Sequence, residues 1–262
     1  MEKNKNLVIT GIIPARYGST RFPGKPLAIL GSKPVIQHVF EKCAMVLQNV
    51  YVATDDERIL NTVKGFGGNA VMTSSLHRSG TDRCAEAVEI IEKTTGLKTD
   101  VVINIQGDEP FIKPKHIELL ASCFDDPSVE IATLIRRVKP EENIFDENHP
   151  KVVVNIFGDA IYFSRSVIPF IRDAEKSEWN FRHNYYKHIG IYAFRKETLL
   201  AITSLPPGTL EITESLEQNR WIENGYKIRT AVTDWDNISI DTPADLEMAR
   251  KYYDKLISGD KM

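Results

Sequence analysis

Cysteine is scarce: Cys43, Cys84 and Cys123 are spread through 262 residues with no CxxC pair. So sparse and odd a count builds neither a disulfide framework nor a zinc site, and it implies a reducing, cytoplasmic setting. No stretch reaches the roughly 18 consecutive apolar residues of a spanning helix, so membrane insertion is not expected. Nor is one sign of charge in excess, since 33 Lys+Arg against 36 Asp+Glu leave a formal charge of −3. A general nucleic-acid binder shows a basic excess or stripe; none is present, so no nucleic-acid partner is expected. Any polyanion must be met by a local cluster. The start, MEKNKN then Leu7 to Ile13, copies a signal peptide in outline, but the apolar run is short and contains Gly11. It flows into a glycine- and arginine-rich loop, not a small-residue cleavage site, and no cleaved leader is expected. What remains is an ordinary globular composition, 42% hydrophobic and 26% charged, in a chain long enough for a substantial core.

The periodicity predicts a βα alternation in the first half. Apolar, β-rich runs at Leu7 to Ile13, 49–53, 69–73 and 100–105 alternate with helical patterns from Pro34 to Leu47 and at 56–66, 81–93 and 115–124. That order is the signature of a doubly wound parallel sheet. From about Glu130 the texture changes. Segments 130–136, 151–157, 159–164 and 186–194 read as strands without helices of comparable length between them, which suggests antiparallel pairing. Helical patterns return at 196–204, 211–224 and 242–257, with a strand at 227–233. The fold class expected is α/β, Rossmann-like, with a mainly parallel sheet and an antiparallel second lobe. One domain over 1–262 is expected, with a first lobe at about 1–130, a second at about 131–195 and a C-terminal part returning to the first.

In open α/β sheets, ligands gather beyond the carboxyl ends of the strands. The first such end reads Pro14-Ala-Arg16-Tyr-Gly18-Ser-Thr-Arg21-Phe-Pro-Gly24-Lys25-Pro-Leu27, with three cations, two glycines and no acid. Glycines let backbone N–H groups approach an anion, and Arg and Lys neutralise it. Such a loop suits a triphosphate, although on composition alone it is equally a solvated surface loop. A P-loop is excluded because five residues separate Gly18 from Gly24 and Pro26 stands at the metal-binding hydroxyl position. GxGxxG is absent from the turn.

At the end of the 100–105 strand sits Gln106-Gly107-Asp108-Glu109-Pro110. Mg²⁺ uses one or two protein carboxylates plus phosphate oxygens and water, so Asp108 is a natural ligand; the segment also reads as a plain turn. Thr242, Pro243 and Asp245 form a helix start, with Asp245 as its capping carboxylate. Asp241 falls outside that box and is free to face a cleft. In His77-Arg78-Ser79-Gly80-Thr81-Asp82-Arg83, Ser79 or Thr81 can cap a helix, while Arg78 and Ser79 suit ligand contact. Asp82 and Arg83 can form a first-turn ion pair. Along Tyr186 to Tyr192 the alternation puts His188 and Tyr192 on one sheet face. Leu216-Glu-Gln-Asn-Arg220, taken alone, reads as an exposed helix face.

These motifs, together with INIQGDEPFI, AIYFSR, KHIGIYAFR, LEQNR and IDTPADLE, stand in the order seen in CMP-Kdo synthetases, the 3-deoxy-manno-octulosonate (Kdo) cytidylyltransferases. The chain resembles that family from about residue 7 to 250. One departure is Asn219, where the family usually shows Leu, and its effect is expected on helix packing. The resemblance implies a Mg²⁺-assisted cytidylyl transfer from CTP to the anomeric hydroxyl of Kdo, for lipopolysaccharide synthesis. It implies Arg16, Lys25, Asp108 and Asp241 as the catalytic set, with Mg²⁺ on Asp108 and Asp241. Arg16, Arg21, Lys25, Arg78, Ser79 and Gln106 would surround the nucleotide. Arg165, His188, Tyr192, Glu217 and Gln218 would form the acid-sugar pocket of a second lobe that also supplies a homodimer interface. Rival readings are another nucleotidyltransferase, for sialate or a sugar 1-phosphate, and a non-catalytic nucleotide sensor; the combined HRSGTDR, QGDEP and LEQ pattern disfavours the first, and retention of both aspartates the second.

Overall fold

The computed structural model describes residues 7–234, 236 and 238–258, and the chain divides into two compact units. The first runs to Glu118 and takes up the segment that follows Asp236; the second is Leu119–Asp236. The lobe boundaries expected from the sequence lie near 130 and 195.

In chain order the first unit contains β1 (Ile9–Ala15), β2 (Ile29–Leu30), β3 (Lys33–Pro34), α1 (Val35–Ala44), β4 (Asn49–Thr54), α2 (Glu57–Gly65), β5 (Asn69–Met72), α3 (Gly80–Thr95) and β6 (Val101–Asn104). Its sheet runs β6-β1-β4-β5 with every pair parallel. Ile12, Ile13, Val52, Val101, Val102 and Ile103 are wholly buried, which accounts for strands that are apolar on both faces. Val35, Ile36, Val39 and Cys43, at helical spacing, turn the buried stripe of α1 inward. β2 and β3 form a small antiparallel hairpin of their own.

Within α4 (Pro114–Ser122) the chain passes into the second unit. There follow β7 (Ile131–Arg137), β8 (Lys151–Val154), β9 (Ala160–Ser164), α5 (Trp179–Arg182), β10 (Tyr186–Arg195), α6 (Lys196–Thr203), α7 (Thr209–Glu214), α8 (Glu217–Glu223) and β11 (Ile228–Thr233). β10 is antiparallel to both β7 and β8, β8 is antiparallel to β9, and β11 joins β7 in parallel. α9 (Pro243–Ser258) then closes the first unit. The parallel sheet and the antiparallel strands match the expected fold class.

Two elements differ from expectation. The strand predicted to reach 157 stops at Val154, because the Asn155 side chain accepts from the amides of Phe157 (2.8 Å) and Asp159 (2.9 Å) and closes a turn. The helix predicted over 211–224 is two helices. Ser215 adopts a left-handed conformation (φ 52, ψ 46) that ends α7 and lets α8 start in a new direction.

Candidate nucleotide and acid-sugar site

The loop after β1 is held by its own backbone. Tyr17 O accepts from the amides of Ser19 and Gly24, both at 2.9 Å. Gly24 sits at φ 73, where a Cβ would lie 3.0 Å from the Tyr17 ring, so both the turn and the close approach require glycine. Arg58 lies over that ring, 3.3 Å from its centroid, and is fixed by two bonds to Asp56 at 2.9 and 2.6 Å. Asp56 itself caps α2, and the Arg58 guanidinium holds its carboxyl below the usual range. A second close approach is at Gly107, where a Cβ would meet Pro14 O at 3.0 Å. The QGD turn can therefore lie directly against the start of the cationic loop.

Onto this frame come the charges. Lys25 Nζ lies 2.5 Å from Asp108 Oδ2 and 3.2 Å from Asp241 Oδ1, and Arg21 Nη2 reaches the same Asp241 oxygen at 3.1 Å. Asp241 is brought there by the backbone, because the Ile240 amide donates to Asp108 O at 2.9 Å. Asp245 stays out of the site. Its Oδ2 accepts from the amides of Asp241 and Thr242 and from the Thr242 hydroxyl, as the capping reading expected. A cavity of about 320 Å³ opens on these groups, lined also by Arg16, Arg78, Ser79 and Gln106. Among the described residues no carboxylate pairs with Arg16 or Arg78. Ser79 caps α3 in a reciprocal box with Asp82, so the positive start of the helix adjoins the cavity. Arg83, by contrast, turns away from Asp82. It is buried on Thr73 Oγ1 (2.6 Å), Ser74 O (3.3 Å) and Asp55 (3.2 Å), so the first-turn ion pair read from the sequence does not form. Asp55 follows a different strand, which local spacing could not signal.

The remaining candidates belong to the second unit. The alternation put His188 and Tyr192 on one face, but four residues of strand span about 13 Å. A β-bulge closes the gap: His188 pairs with Ile135 and Tyr192 with Thr133, two positions apart on β7. Their rings consequently meet at 5.2 Å. The Thr133 hydroxyl donates to Ile191 O (2.8 Å), which leaves His188 Nε2 to donate into it at 2.9 Å. The ring is then the neutral tautomer with Nδ1 as acceptor, and burial pushes its pKa down to about 3. Burial and the Glu217 charge raise the Tyr192 phenol well above its ordinary value, so it remains a donor. Glu217 accepts from Arg220 at 3.0 Å. Gln218, 4% exposed, has a buried Nε2 with no hydrogen-bond partner. Arg165 donates to the carbonyls of Glu214 (2.7 Å), Glu147 (3.0 Å) and Ser215 (3.4 Å), pinning the break between α7 and α8. The LEQNR stretch is not an exposed face, since Gln218, Asn219 and Arg220 are all buried. Asn219 is wholly enclosed and donates to Phe163 O at 2.9 Å, a packing role in keeping with the expectation.

His116, buried on α4, is likewise pushed down, to about 4, by burial and then by Lys113 and Lys115. Both histidines thus titrate in the folded protein below their ordinary 6.5. Beneath pH 6.5 the unfolded chain takes up protons that the folded chain refuses, so this stability is intact above pH 6.5 and drains away as pH falls toward 4 and then 3. Calorimetric Tm values are expected to fall steadily from pH 7 to pH 5, with a shallower slope in His116→Asn; a flat or rising Tm would contradict this.

The chain matches the cytidylyltransferase family over residues 10–228 and is a nucleotidyltransferase. It is 56% identical to the 3-deoxy-manno-octulosonate cytidylyltransferase of Bacteroides thetaiotaomicron over 92% of this chain and 96% of that protein. Its counterpart in Thermodesulfovibrio yellowstonii is 49% identical over 94% and 98%. A solved structure of CMP:2-keto-3-deoxy-manno-octonic acid synthetase complexed with CTP matches with a TM-score of 0.84 and 43% identity, covering 97% and 99% of the two chains. The chain belongs to the 3-deoxy-manno-octulosonate cytidylyltransferase family.

Proposed function

We propose that this protein transfers the cytidylyl group of CTP to the anomeric hydroxyl of Kdo, releasing diphosphate and supplying CMP-Kdo for lipopolysaccharide synthesis. The observation that carries the reading is the meeting of Asp108 and Asp241 on Lys25, in one cavity with Arg16, Arg21 and Arg78. Nucleotidyl transfer depends on in-line positioning and on neutralising the charge that builds on the phosphates. Arg16 and Arg78, with the start of α3, would hold the triphosphate; Lys25 and Arg21 would stabilise the departing diphosphate. Ser79 and Gln106 line the same cavity and would orient the nucleotide.

The donor set suits Mg²⁺. Among the described residues no group of three or more His, Cys, Asp or Glu converges to hold a metal alone. Two carboxylates fit an ion that completes its shell with phosphate oxygens and water. Asp108 and Asp241 would hold it, and when bound it would supply Lewis-acid neutralisation of the phosphate being transferred. In the second unit, neutral His188 would accept a sugar hydroxyl at Nδ1, while Tyr192 and the free Gln218 Nε2 would donate. Glu217 and Arg165 complete the proposed pocket, Arg165 by fixing the carbonyls before α8.

The two units are proposed to act as one cytidylyltransferase domain in a homodimer. The hairpin of β8 and β9 exposes Ile156 (93%) and Phe157 (73%) in support of such an interface. A cytoplasmic setting accords with three free cysteines, two of them buried, and no helix among the described residues is long and apolar enough to cross a membrane. Diphosphate release from CTP and Mg²⁺, run against a panel of acid sugars, tests the reading. Release is expected with Kdo and not with sialate or hexose phosphates. Tight CTP binding without release would sink it in favour of a sensor.

A further inference from the structure

Lys25 stands where two negative charges would otherwise face each other. Its ammonium touches Asp108 at 2.5 Å and Asp241 at 3.2 Å, while Arg21 shares the Asp241 oxygen. The Lys25 and Asp108 side chains are only 13% and 24% exposed, so solvent screens this pair less than an ordinary surface bridge. A divalent ion bound by both carboxylates would need their oxygens at about 2.0–2.1 Å, in the space the ammonium spans. Both cations cannot occupy it.

The Lys25 backbone is fixed. Gly24 precedes it in a left-handed conformation as the N-cap of a one-turn helix over Lys25–Leu27, and Pro26 follows it buried. Only the four-methylene arm is free to swing. The charges of the cavity make such a swing favourable once a triphosphate arrives. Five cations line it with two carboxylates; Arg83 is offset by Asp55 outside the cavity, so Arg16, Arg21, Lys25 and Arg78 leave an excess of two positive charges. About four negative charges on a triphosphate, together with one divalent ion, cancel that excess. Without the nucleotide, the ion alone would add its charge to a site already in positive surplus.

We propose that Lys25 is the resident counter-ion of the Asp108–Asp241 pair, and that the pair takes a divalent cation only once a nucleoside triphosphate has drawn Lys25 onto its phosphates. Loading is then ordered: the carboxylates are kept together, yet closed to free metal, until nucleotide is present. This inference rests on the metal-binding reading of the site given above.

The test is a titration with Mn²⁺, read by electron paramagnetic resonance. It is run on wild type, Lys25→Met, Lys25→Gln, Lys25→Arg and Asp108→Asn, with and without CTP and with no acid sugar present. Protein-bound Mn²⁺ is separated from Mn²⁺ held by CTP in solution. Without CTP, wild type and Lys25→Arg are expected to bind weakly, and Lys25→Met and Lys25→Gln roughly tenfold tighter or more, since the competing charge is gone. CTP is expected to tighten binding to wild type and to erase the advantage of both neutral variants. Lys25→Met and Lys25→Gln binding no more tightly than wild type without CTP would overturn the proposal. Asp108→Asn separates the two readings: if it binds Mn²⁺ like wild type in every condition, the metal site itself falls. If it alone loses the ion, the site stands and any failure belongs to Lys25.

Discussion

Replacing Asp108 by alanine is expected to slow turnover by roughly 10²–10³-fold at saturating CTP and Mg²⁺, and Lys25→Ala by a similar factor, the cost of one preorganised electrostatic contact at a reacting phosphate. The two variants fail for opposite reasons. Asp108→Ala removes half of the acidic pair and leaves Lys25 with the more distant Asp241 oxygen at 3.2 Å. Lys25→Ala leaves both carboxylates in place but removes a cation from the phosphates. Steady-state rates of diphosphate release check both. Wild-type rates in either variant would withdraw that residue from the catalytic set.

The second large effect is on stability. Trp221 is wholly buried on α8, edge-on to Tyr192 at 5.1 Å and to Phe194 at 5.3 Å. Trp221→Ala is expected to cost about 3–5 kcal/mol, because the cavity left between α8 and β10 cannot collapse around two other rings. Its indole N–H is buried without a partner, so Trp221→Phe sheds an unsatisfied donor along with some volume and should cost much less. Chemical denaturation midpoints distinguish the pair. Since Tyr192 rests on Trp221, the alanine variant should also raise KM for the acid sugar more than KM for CTP. A loss below about 1 kcal/mol in Trp221→Ala would show that the site repacks freely.

What the sequence made legible was what is local or periodic. The alternation of β1, α1, β4 and α2 is written in the switch from continuous apolar runs to helical spacing. The Asp245 cap could be read because donor and acceptor lie three residues apart. The Gly24 turn and the cationic loop announce themselves in composition. Non-local partners leave no such trace. Arg83 reaches Asp55 across 28 positions, and Thr133 sets the His188 tautomer across 55. The break at Ser215 was hidden because a left-handed serine carries none of the signal a glycine would. The burial of Gln218, Asn219 and Arg220 was hidden for a related reason: polar residues on a helix read as a solvent face unless their buried partners, such as Phe163 O, are known.

Asp108 and Asp241 come from distant parts of the chain, and the second is fixed through the Ile240 amide on Asp108 O. A ribosome making this protein delivers the first carboxylate early and the second only when synthesis has reached Asp241, just before the final helix. The nascent chain can fold its first strands around Asp108, but the proposed metal-holding pair is incomplete until that late residue emerges. A stop codon ahead of Asp241 would remove the second carboxylate together with α9, and turnover is then expected to fall at least as far as in Asp108→Ala.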